Sequence, residues 1–273
     1  MPPFWNRSRP APGPGIRTEP ESSRQVDDYL AEQIMPDGPG LALGIVKGSA
    51  LVHAAGYGLA DIASRRPVIT DTIFHLASCG KQFTALGLLM LAEDGKLHPD
   101  DPLAKHIPEL AGFGCTLRQL LHHTSGIRDL YDEAGIDQVL ARCARPTNAD
   151  LTRIYAEFGC PMAARGMRPG ATFAYSNSGY DLLGTVIERV SGQPYHDFFQ
   201  TRVFEPLGMR DTFSLPDARE RDPRRATGYD VGENEQLVAR TRAANSTRSP
   251  DRDRSSPPCP TSRATSRLCA STA

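Results

Sequence analysis

Residues 83–92 constrain the fold more than any other part of the sequence, because they are apolar at almost every position. A helix that is apolar around its whole circumference is typical of a domain interior, where other elements cover every side. Gly95 is expected to end this helix. At 273 residues, the chain is long enough for one large domain or two small ones built around such a helix.

Helical and strand patterns flank this central helix on both sides. Helical periodicity marks three further segments, which are residues 24–34, 116–123 and 182–190. Two apolar runs, residues 41–46 and 51–55, are separated by Lys47-Gly48-Ser49, and this pattern predicts a β-hairpin. We therefore expect an α/β protein of the α+β type, with an antiparallel sheet, flanking helices and an all-helical region.

The charge balance limits the kinds of partner. The chain has 31 basic and 32 acidic side chains, and its net charge is −1. A near-neutral chain is not built to bind nucleic acid or an acidic membrane surface. No run approaches 18 consecutive apolar residues, so we expect no membrane span. The oligomeric state stays open.

Composition also divides the chain along its length. Residues 1–22 are rich in proline and lack the apolar core of a secretory signal, which predicts a disordered arm on a cytoplasmic protein. One domain is expected over residues 23–235. Residues 236–273 contain seven Arg and two Asp, a net charge of +5, and few large apolar side chains. That segment cannot bury enough apolar area to fold, so we expect a disordered tail.

Ser78-Cys79-Gly80-Lys81 stands at the start of the central helix. Residues three apart share a helix face, so the Lys81 amine can approach the Ser78 hydroxyl. A serine becomes a useful nucleophile when a base takes its proton, and desolvation can lower a lysine pKa enough for that role. The alternative is that Ser78 caps the helix and Lys81 is a solvated residue of the first turn.

Tyr175-Ser176-Asn177 is a second candidate. In an extended segment, residues two apart project to the same side, so Tyr175 and Asn177 can enter one cleft. Tyr175 could share proton transfer with Lys81, and Asn177 could bind a substrate carbonyl or the lysine. The alternative is an ordinary polar turn before a helix, with Asn177 or Ser178 as its N-cap.

The adjacent residues His122 and His123 raise the question of a metal site. Neighbouring histidines point in different directions on a helix, and no carboxylate or cysteine follows at ligand spacing. The pair is better explained as part of a turn that ends a helix, in which hydroxyl groups satisfy backbone groups. We therefore expect no metal.

The segments together resemble the serine β-lactamase-like superfamily, and most of all its branch of class C β-lactamases, penicillin-binding proteins and esterases. The handful of motifs that carry the resemblance follow one another along residues 25–230. They are Gly56-Tyr57-Gly58-Leu59-Ala60-Asp61, Ser78-Cys79-Gly80-Lys81, Leu120-Leu121-His122-His123-Thr124-Ser125-Gly126, Tyr175-Ser176-Asn177 and Pro206-Leu207-Gly208-Met209.

The resemblance implies a β-lactamase/transpeptidase-like fold and a serine hydrolase. Ser78 would be acylated by an ester or amide substrate, as in esterases, D-peptidases or β-lactam-cleaving enzymes. Lys81 and Tyr175 would manage the serine proton, and Asn177 would position the substrate. Water would then release the acyl group, and no metal or organic cofactor is implied.

The sequence departs from this family towards its C-terminus. The family uses a Lys-Thr-Gly or His-x-Gly element on a late strand, whereas this sequence has no Lys after 105 and no His after 196. The C-terminal strands and helix of the fold are therefore expected to be missing. We interpret the change of composition near residue 235 as a shifted reading frame, or else as a natural truncation. The alternative function is then a catalytically inactive fragment or pseudoenzyme of the same fold.

Overall fold

The computed structural model describes residues 15–127, 129–131, 146–158, 168–215, 218–232, 236–240 and 268–271. They fall into two compact units. Among the described residues, the first unit comprises 15–75, 221–232, 236–240 and 269–271, and the second comprises 76–127, 129–131, 146–158, 168–215, 218–220 and Leu268.

The strands and helices are numbered in chain order. The strands are β1 (Ile16–Arg17), β2 (Leu41–Lys47), β3 (Ala50–Tyr57), β4 (Leu59–Asp61), β5 (Arg66–Pro67), β6 (Ile73–His75), β7 (Phe213–Ser214), β8 (Tyr229–Val231), β9 (Leu237–Ala239) and β10 (Leu268–Ser271). The α-helices are α1 (Pro20–Gln33), α2 (Lys81–Glu93), α3 (Leu103–His106), α4 (Leu117–Leu121), α5 (Asn148–Phe158), α6 (Asn177–Ser191) and α7 (Tyr195–Phe199). This mixture of helices and antiparallel strands confirms the expected α+β class.

The first unit is built on an antiparallel sheet in the order β1-β3-β2. The β2–β3 register runs from Leu41 opposite Tyr57 to Lys47 opposite Ala50, with an irregularity between Ile45 and Val46. The predicted hairpin is thus confirmed, and Gly48 in its turn adopts a left-handed φ of +63°. β4 pairs with β5 and β8 with β9, in both cases antiparallel.

Parts of the two terminal segments, for which the sequence predicts disorder, have regular structure among the described residues. In the N-terminal arm, β1 pairs with β3, and α1 begins at Pro20, because proline suits the first turn of a helix. In the tail, β9 pairs with β8, and β10 pairs with β6. Backbone pairing supplies the hydrogen bonds there without requiring a large apolar content. Residues 1–14, 241–267 and 272–273 lie outside the described residues.

A partly buried polar cluster joins α1 to the sheet of the first unit. Asp27 accepts a hydrogen bond from Arg17 Nε at 2.8 Å and one from the Tyr57 hydroxyl at 2.7 Å. Because that hydroxyl gives its single proton to Asp27, His53 Nε2 must donate to the Tyr57 oxygen, at 2.9 Å. His53 Nδ1 is then a bare acceptor, and it is buried without a hydrogen-bond partner in the part of the chain that the structure describes.

The second unit is helical, and its core is assembled around α6. Leu182, Leu183, Val186 and Ile187 of this helix are all fully buried. They share a core with side chains from α2 to α5 and from α7. Gly192 ends α6 in the left-handed conformation, as the sequence predicts.

The central helix α2 is covered on fewer sides than its composition predicts. The buried residues of this helix include Thr84, Gly87, Leu88 and Leu91. By contrast, Leu89 is 52% exposed and Leu86 is 40% exposed. The expectation of burial around the whole circumference is therefore wrong, because in this structure the neighbouring helices cover one side only. Gly95 ends the segment with a φ of +71°, as predicted.

Gly87 allows α2 to lie directly against the aromatic side chains of α7. A Cβ atom placed on Gly87 would stand 2.6 Å from Phe199 Cζ and 3.1 Å from Phe198 Cε1. Both phenylalanines are buried, and in a close-packed interior a shift of either ring would disturb its neighbours. The glycine is needed at this position for its lack of a side chain.

We expect Gly87→Ala to destabilise the protein by about 1–3 kcal/mol, because the added methyl group overpacks the contact with Phe199. Equilibrium unfolding in urea measures the change. Gly112→Ala is the matched control, since a Cβ there meets no atom within 4 Å. Equal effects of the two substitutions would contradict the packing argument.

Burial lowers the pKa of His53 below its ordinary value. The folded protein thus disfavours the charged imidazole, and stability that is present above the unfolded pKa of about 6.5 is lost as the pH falls through the lower folded pKa. We expect urea unfolding midpoints to drop between pH 7.5 and pH 5.5, and His53→Gln to reduce that drop. His122→Gln, at an exposed position outside this cluster, is the control substitution. A pH dependence that survives in His53→Gln would assign the effect to other groups.

Candidate active site

Ser78 lies in a single tight turn that leads directly into α2. Residues Ala77–Gly80 form a 3₁₀ turn, and Lys81 is the first residue of the α-helix. A 3₁₀ turn has three residues per turn, so it aligns positions i and i+3 more closely than an α-helix does. Ala77 has a left-handed φ of +47°, which is unusual for a residue other than glycine. Ser78 is exposed at this turn.

Lys81 connects Ser78 to a distant part of the chain. Its Nζ lies 3.3 Å from Ser78 Oγ and 2.7 Å from the side-chain oxygen of Asn177, 96 residues later. The same Nζ lies 4.9 Å from the ring centroid of Tyr175 and 5.6 Å from that of Tyr180. The Lys81 amine is therefore half-buried between two oxygen atoms and two aromatic faces.

Tyr175 approaches Ser78 from an extended segment that precedes α6. The Tyr175 hydroxyl lies 2.7 Å from Ser78 Oγ. Ser176 has extended backbone angles and caps α6 by accepting a hydrogen bond from Gly179 N at 3.1 Å. The extended backbone sends Tyr175 and Asn177 to one side, as predicted, while the capping role falls to Ser176 instead of Asn177 or Ser178.

The structure brings the four predicted site residues into one hydrogen-bonded group. Ser78 Oγ contacts both Lys81 and Tyr175, and Lys81 also contacts Asn177. Each of these side chains can hold or pass a proton or orient a polar substrate group. The arrangement can therefore take a proton from the Ser78 hydroxyl and return it to another atom in the same cleft.

His123 supports the tyrosine, a contact that sequence analysis missed. Its ring lies 4.5 Å from that of Tyr175 and 5.1 Å from that of Tyr180, and its Nδ1 accepts a hydrogen bond from Ser176 N at 3.1 Å. The backbone carbonyl of His123 also accepts from Ala174 N at 2.8 Å. A left-handed φ of +56° turns the ring towards Tyr175. The position follows the end of α4, which is the only sequence signal that could have singled it out.

The protonation state of His123 follows from its surroundings. Burial, together with the nearby positive charge of Lys81, lowers the pKa of His123. Nδ1 is an acceptor, so the neutral ring carries its proton on Nε2. His123 therefore acts as a neutral aromatic support. Its contacts agree with the interpretation of the histidine pair as part of a turn.

Two carboxyl groups lie behind the site, and both were missed by sequence analysis. Asp129 accepts hydrogen bonds from Asn177 N and Nδ2, both at 2.9 Å. Asp181 is one helical turn after Asn177, and Tyr155 of α5 donates to it at 3.3 Å. Burial raises the pKa of Asp181 to about 7, against the opposing hydrogen bonds of two tyrosines. No spacing in the sequence distinguishes either residue from an ordinary surface aspartate.

A family model of known proteins, the beta-lactamase family, matches residues 26–258 of this sequence. Penicillin-binding protein 4* of Bacillus subtilis is 34% identical over 166 residues, which cover 61% of this chain and 36% of that protein. The chain thus spans well under half the length of this curated relative.

Two solved structures are similar to this chain over most of its length. The octameric penicillin-binding protein homologue of Pyrococcus abyssi is 30% identical with a TM-score of 0.66, over 92% of this chain and 53% of that one. The D-amino acid amidase of Ochrobactrum anthropi SV3 is 28% identical with a TM-score of 0.62, over 77% of this chain and 56% of that one. These similarities confirm the β-lactamase/transpeptidase-like fold.

We expect His123→Asn to destabilise the protein by about 0.5–1.5 kcal/mol, through loss of the ring contacts with Tyr175 and Tyr180. Asparagine tolerates the left-handed φ of this position, so the backbone need not change. Urea unfolding measures the effect, and His122→Asn, at the exposed neighbour, is the matched control. If the two variants unfold alike, the ring contacts do not stabilise the tyrosines.

Proposed function

The chain belongs to the beta-lactamase family, and on this premise we propose that it is a serine hydrolase that acts on an ester or amide through an acyl-enzyme. One observation carries the proposal. Ser78 Oγ lies within hydrogen-bond reach of both the Lys81 amine and the Tyr175 hydroxyl, at 3.3 Å and 2.7 Å. A serine between two proton-handling groups has the geometry of an activated nucleophile.

In the proposed reaction, Ser78 Oγ attacks the carbonyl carbon of the substrate and forms a new C–O bond. Its proton passes to the Lys81–Tyr175 pair, which later gives a proton to the leaving alcohol or amine as the bond to that group breaks. Water then attacks the acyl carbon, gives up a proton to the same pair, and Ser78 is restored with release of the acid. Asn177 holds Lys81 in place and offers polar atoms to the substrate carbonyl or amide.

The substrate class is proposed from the chemistry and from the relatives. A named relative is a penicillin-binding protein and a structural neighbour is a D-amino acid amidase, so acyl transfer from an amide or a strained cyclic amide is supported. Esters undergo the same attack more easily, because an ester carbonyl is less stabilised by resonance than an amide carbonyl and an alkoxide is a better leaving group than an amide anion. We therefore propose small ester and amide substrates, with no cofactor in the chemistry.

A second candidate is an inactive fragment or pseudoenzyme of this fold. It is favoured by one feature of the sequence, the lack of any Lys after 105 or His after 196, which excludes a late Lys-Thr-Gly or His-x-Gly element within these 273 residues. Removing one oxyanion donor costs about 10²–10³ in rate, and a late strand supplies such a donor in the family. A protein that is acylated at Ser78 but turns its substrate over slowly would be intermediate between an active hydrolase and a pseudoenzyme.

Labelling of Ser78 with a fluorescent fluorophosphonate tests the proposal. We expect covalent labelling of the folded protein, none in Ser78→Ala, and a rate lowered about 10²–10⁴-fold in Tyr175→Phe, which keeps the ring on His123 but loses the hydroxyl. Mass spectrometry of the labelled peptide identifies the modified residue.

Hydrolysis of p-nitrophenyl butyrate then separates turnover from acylation. Labelling accompanied by slow turnover would support a serine hydrolase whose oxyanion site is incomplete. Folded protein that is not labelled at all would overturn the proposal in favour of the pseudoenzyme. Labelling that persists in Ser78→Ala would place the nucleophile elsewhere.

A further inference from the structure

Asp129 is surrounded by donors from the first turn of α6. One carboxylate oxygen accepts from Asn177 N and from Asn177 Nδ2, both at 2.9 Å. The other accepts from Tyr131 N at 3.1 Å, and from Ser178 Oγ at 3.1 Å and Ser178 N at 3.4 Å. All five donors come from three residues, and two of these residues begin the helix that carries Asn177.

The contact with Asn177 Nδ2 determines which way the side-chain amide faces. A primary amide carries an acceptor oxygen on one side and two donor hydrogens on the other. With its nitrogen donating to Asp129, Asn177 presents its oxygen to Lys81 Nζ at 2.7 Å. The flipped amide would place its oxygen against the carboxylate, which is repulsive, and would turn its N–H groups towards the N–H groups of Lys81, which would lose their acceptor.

We propose that Asp129 is a positioning residue, which fixes the amide of Asn177 so that its oxygen holds Lys81 against Ser78. This inference rests on the serine hydrolase function proposed above. Lys81 is a flexible side chain, and its distance of 3.3 Å from Ser78 Oγ depends on the acceptor that holds it on the far side. Asp129 thus acts on the nucleophile through two intervening side chains and does not touch the substrate.

A purely structural role is the competing explanation, because a carboxylate at a helix N-terminus also stabilises the helix. The isosteric variant Asp129→Asn separates the two roles. The side-chain amide of this variant has one acceptor oxygen and one NH₂ group. In either orientation the NH₂ group faces donors, those of Asn177 or those of Tyr131 and Ser178, and cannot accept their hydrogen bonds. Asp150→Asn is the matched control, since Asp150 accepts from Thr147 N at 3.0 Å at the start of α5.

The test is a double-mutant cycle on the rate of fluorophosphonate labelling. We expect Asp129→Asn to lower the maximal rate of labelling about 10–100-fold with an unchanged half-saturating concentration, as a displaced catalytic group would. In an Asn177→Ala background, Asp129→Asn should have no further effect, because the side chain through which it acts is gone. Asp150→Asn should label at the wild-type rate. If Asp129→Asn slows labelling equally in both backgrounds, the proposal is overturned, since Asp129 then acts on the fold.

A second measurement does not depend on reactivity. Hydrogen exchange of the Asn177 side-chain amide, followed by nitrogen-15 NMR and assigned by its loss in Asn177→Ala, reports the contact with Asp129. We expect slow exchange in the wild type and faster exchange in Asp129→Asn. Unchanged exchange in Asp129→Asn would overturn the proposal even if that variant is labelled more slowly. If the wild type is not labelled at all, the proposed hydrolase function fails, while this exchange measurement still decides whether Asp129 positions Asn177.

Discussion

The packing of α2 against α6 and α7 is the constraint on which the rest of the second unit depends. The Gly87 backbone lies close to Phe198 and Phe199, so α2 sits deep enough for Lys81, six residues earlier, to reach Asn177. The position of Ser78 follows from the same packing, because the 3₁₀ turn that contains Ser78 is continuous with α2. A wider separation of these helices would leave the lysine in solvent and the serine without a base.

Two carboxyl groups, those of Asp129 and Asp181, lie behind the site. Asp129 is satisfied by the N–H groups at the start of α6, which is where the helix dipole favours an anion. Asp181 is the opposite case, because burial raises its pKa to about 7 and the carboxyl tends towards the neutral form. The two aspartates therefore have different surroundings, since Asp129 is held by donors at the start of α6 and Asp181 is buried beside Tyr155.

The local parts of the fold could be predicted from the sequence because they depend on neighbours in the chain. Periodicity and glycine placement predicted the β2–β3 hairpin and the helices, including their ends at Gly95 and Gly192. The covering of α2 could not be predicted in this way. Apolar composition says that a helix prefers burial, but which faces are covered depends on elements distant in sequence, and Leu86 and Leu89 remain exposed.

The candidate site likewise combines features that follow from the local sequence with features that depend on the tertiary structure. The sequence by itself determined that Ser78 and Lys81 share one face and that Tyr175 and Asn177 project to one side, since both pairs follow from backbone geometry over two or three residues. Only the tertiary structure decided that the two pairs meet, at 2.7 Å across 96 residues. It also recruited His123 and Asp129, which have no local signature. Their roles arise from ring contacts and hydrogen bonds that exist only after the helices have packed.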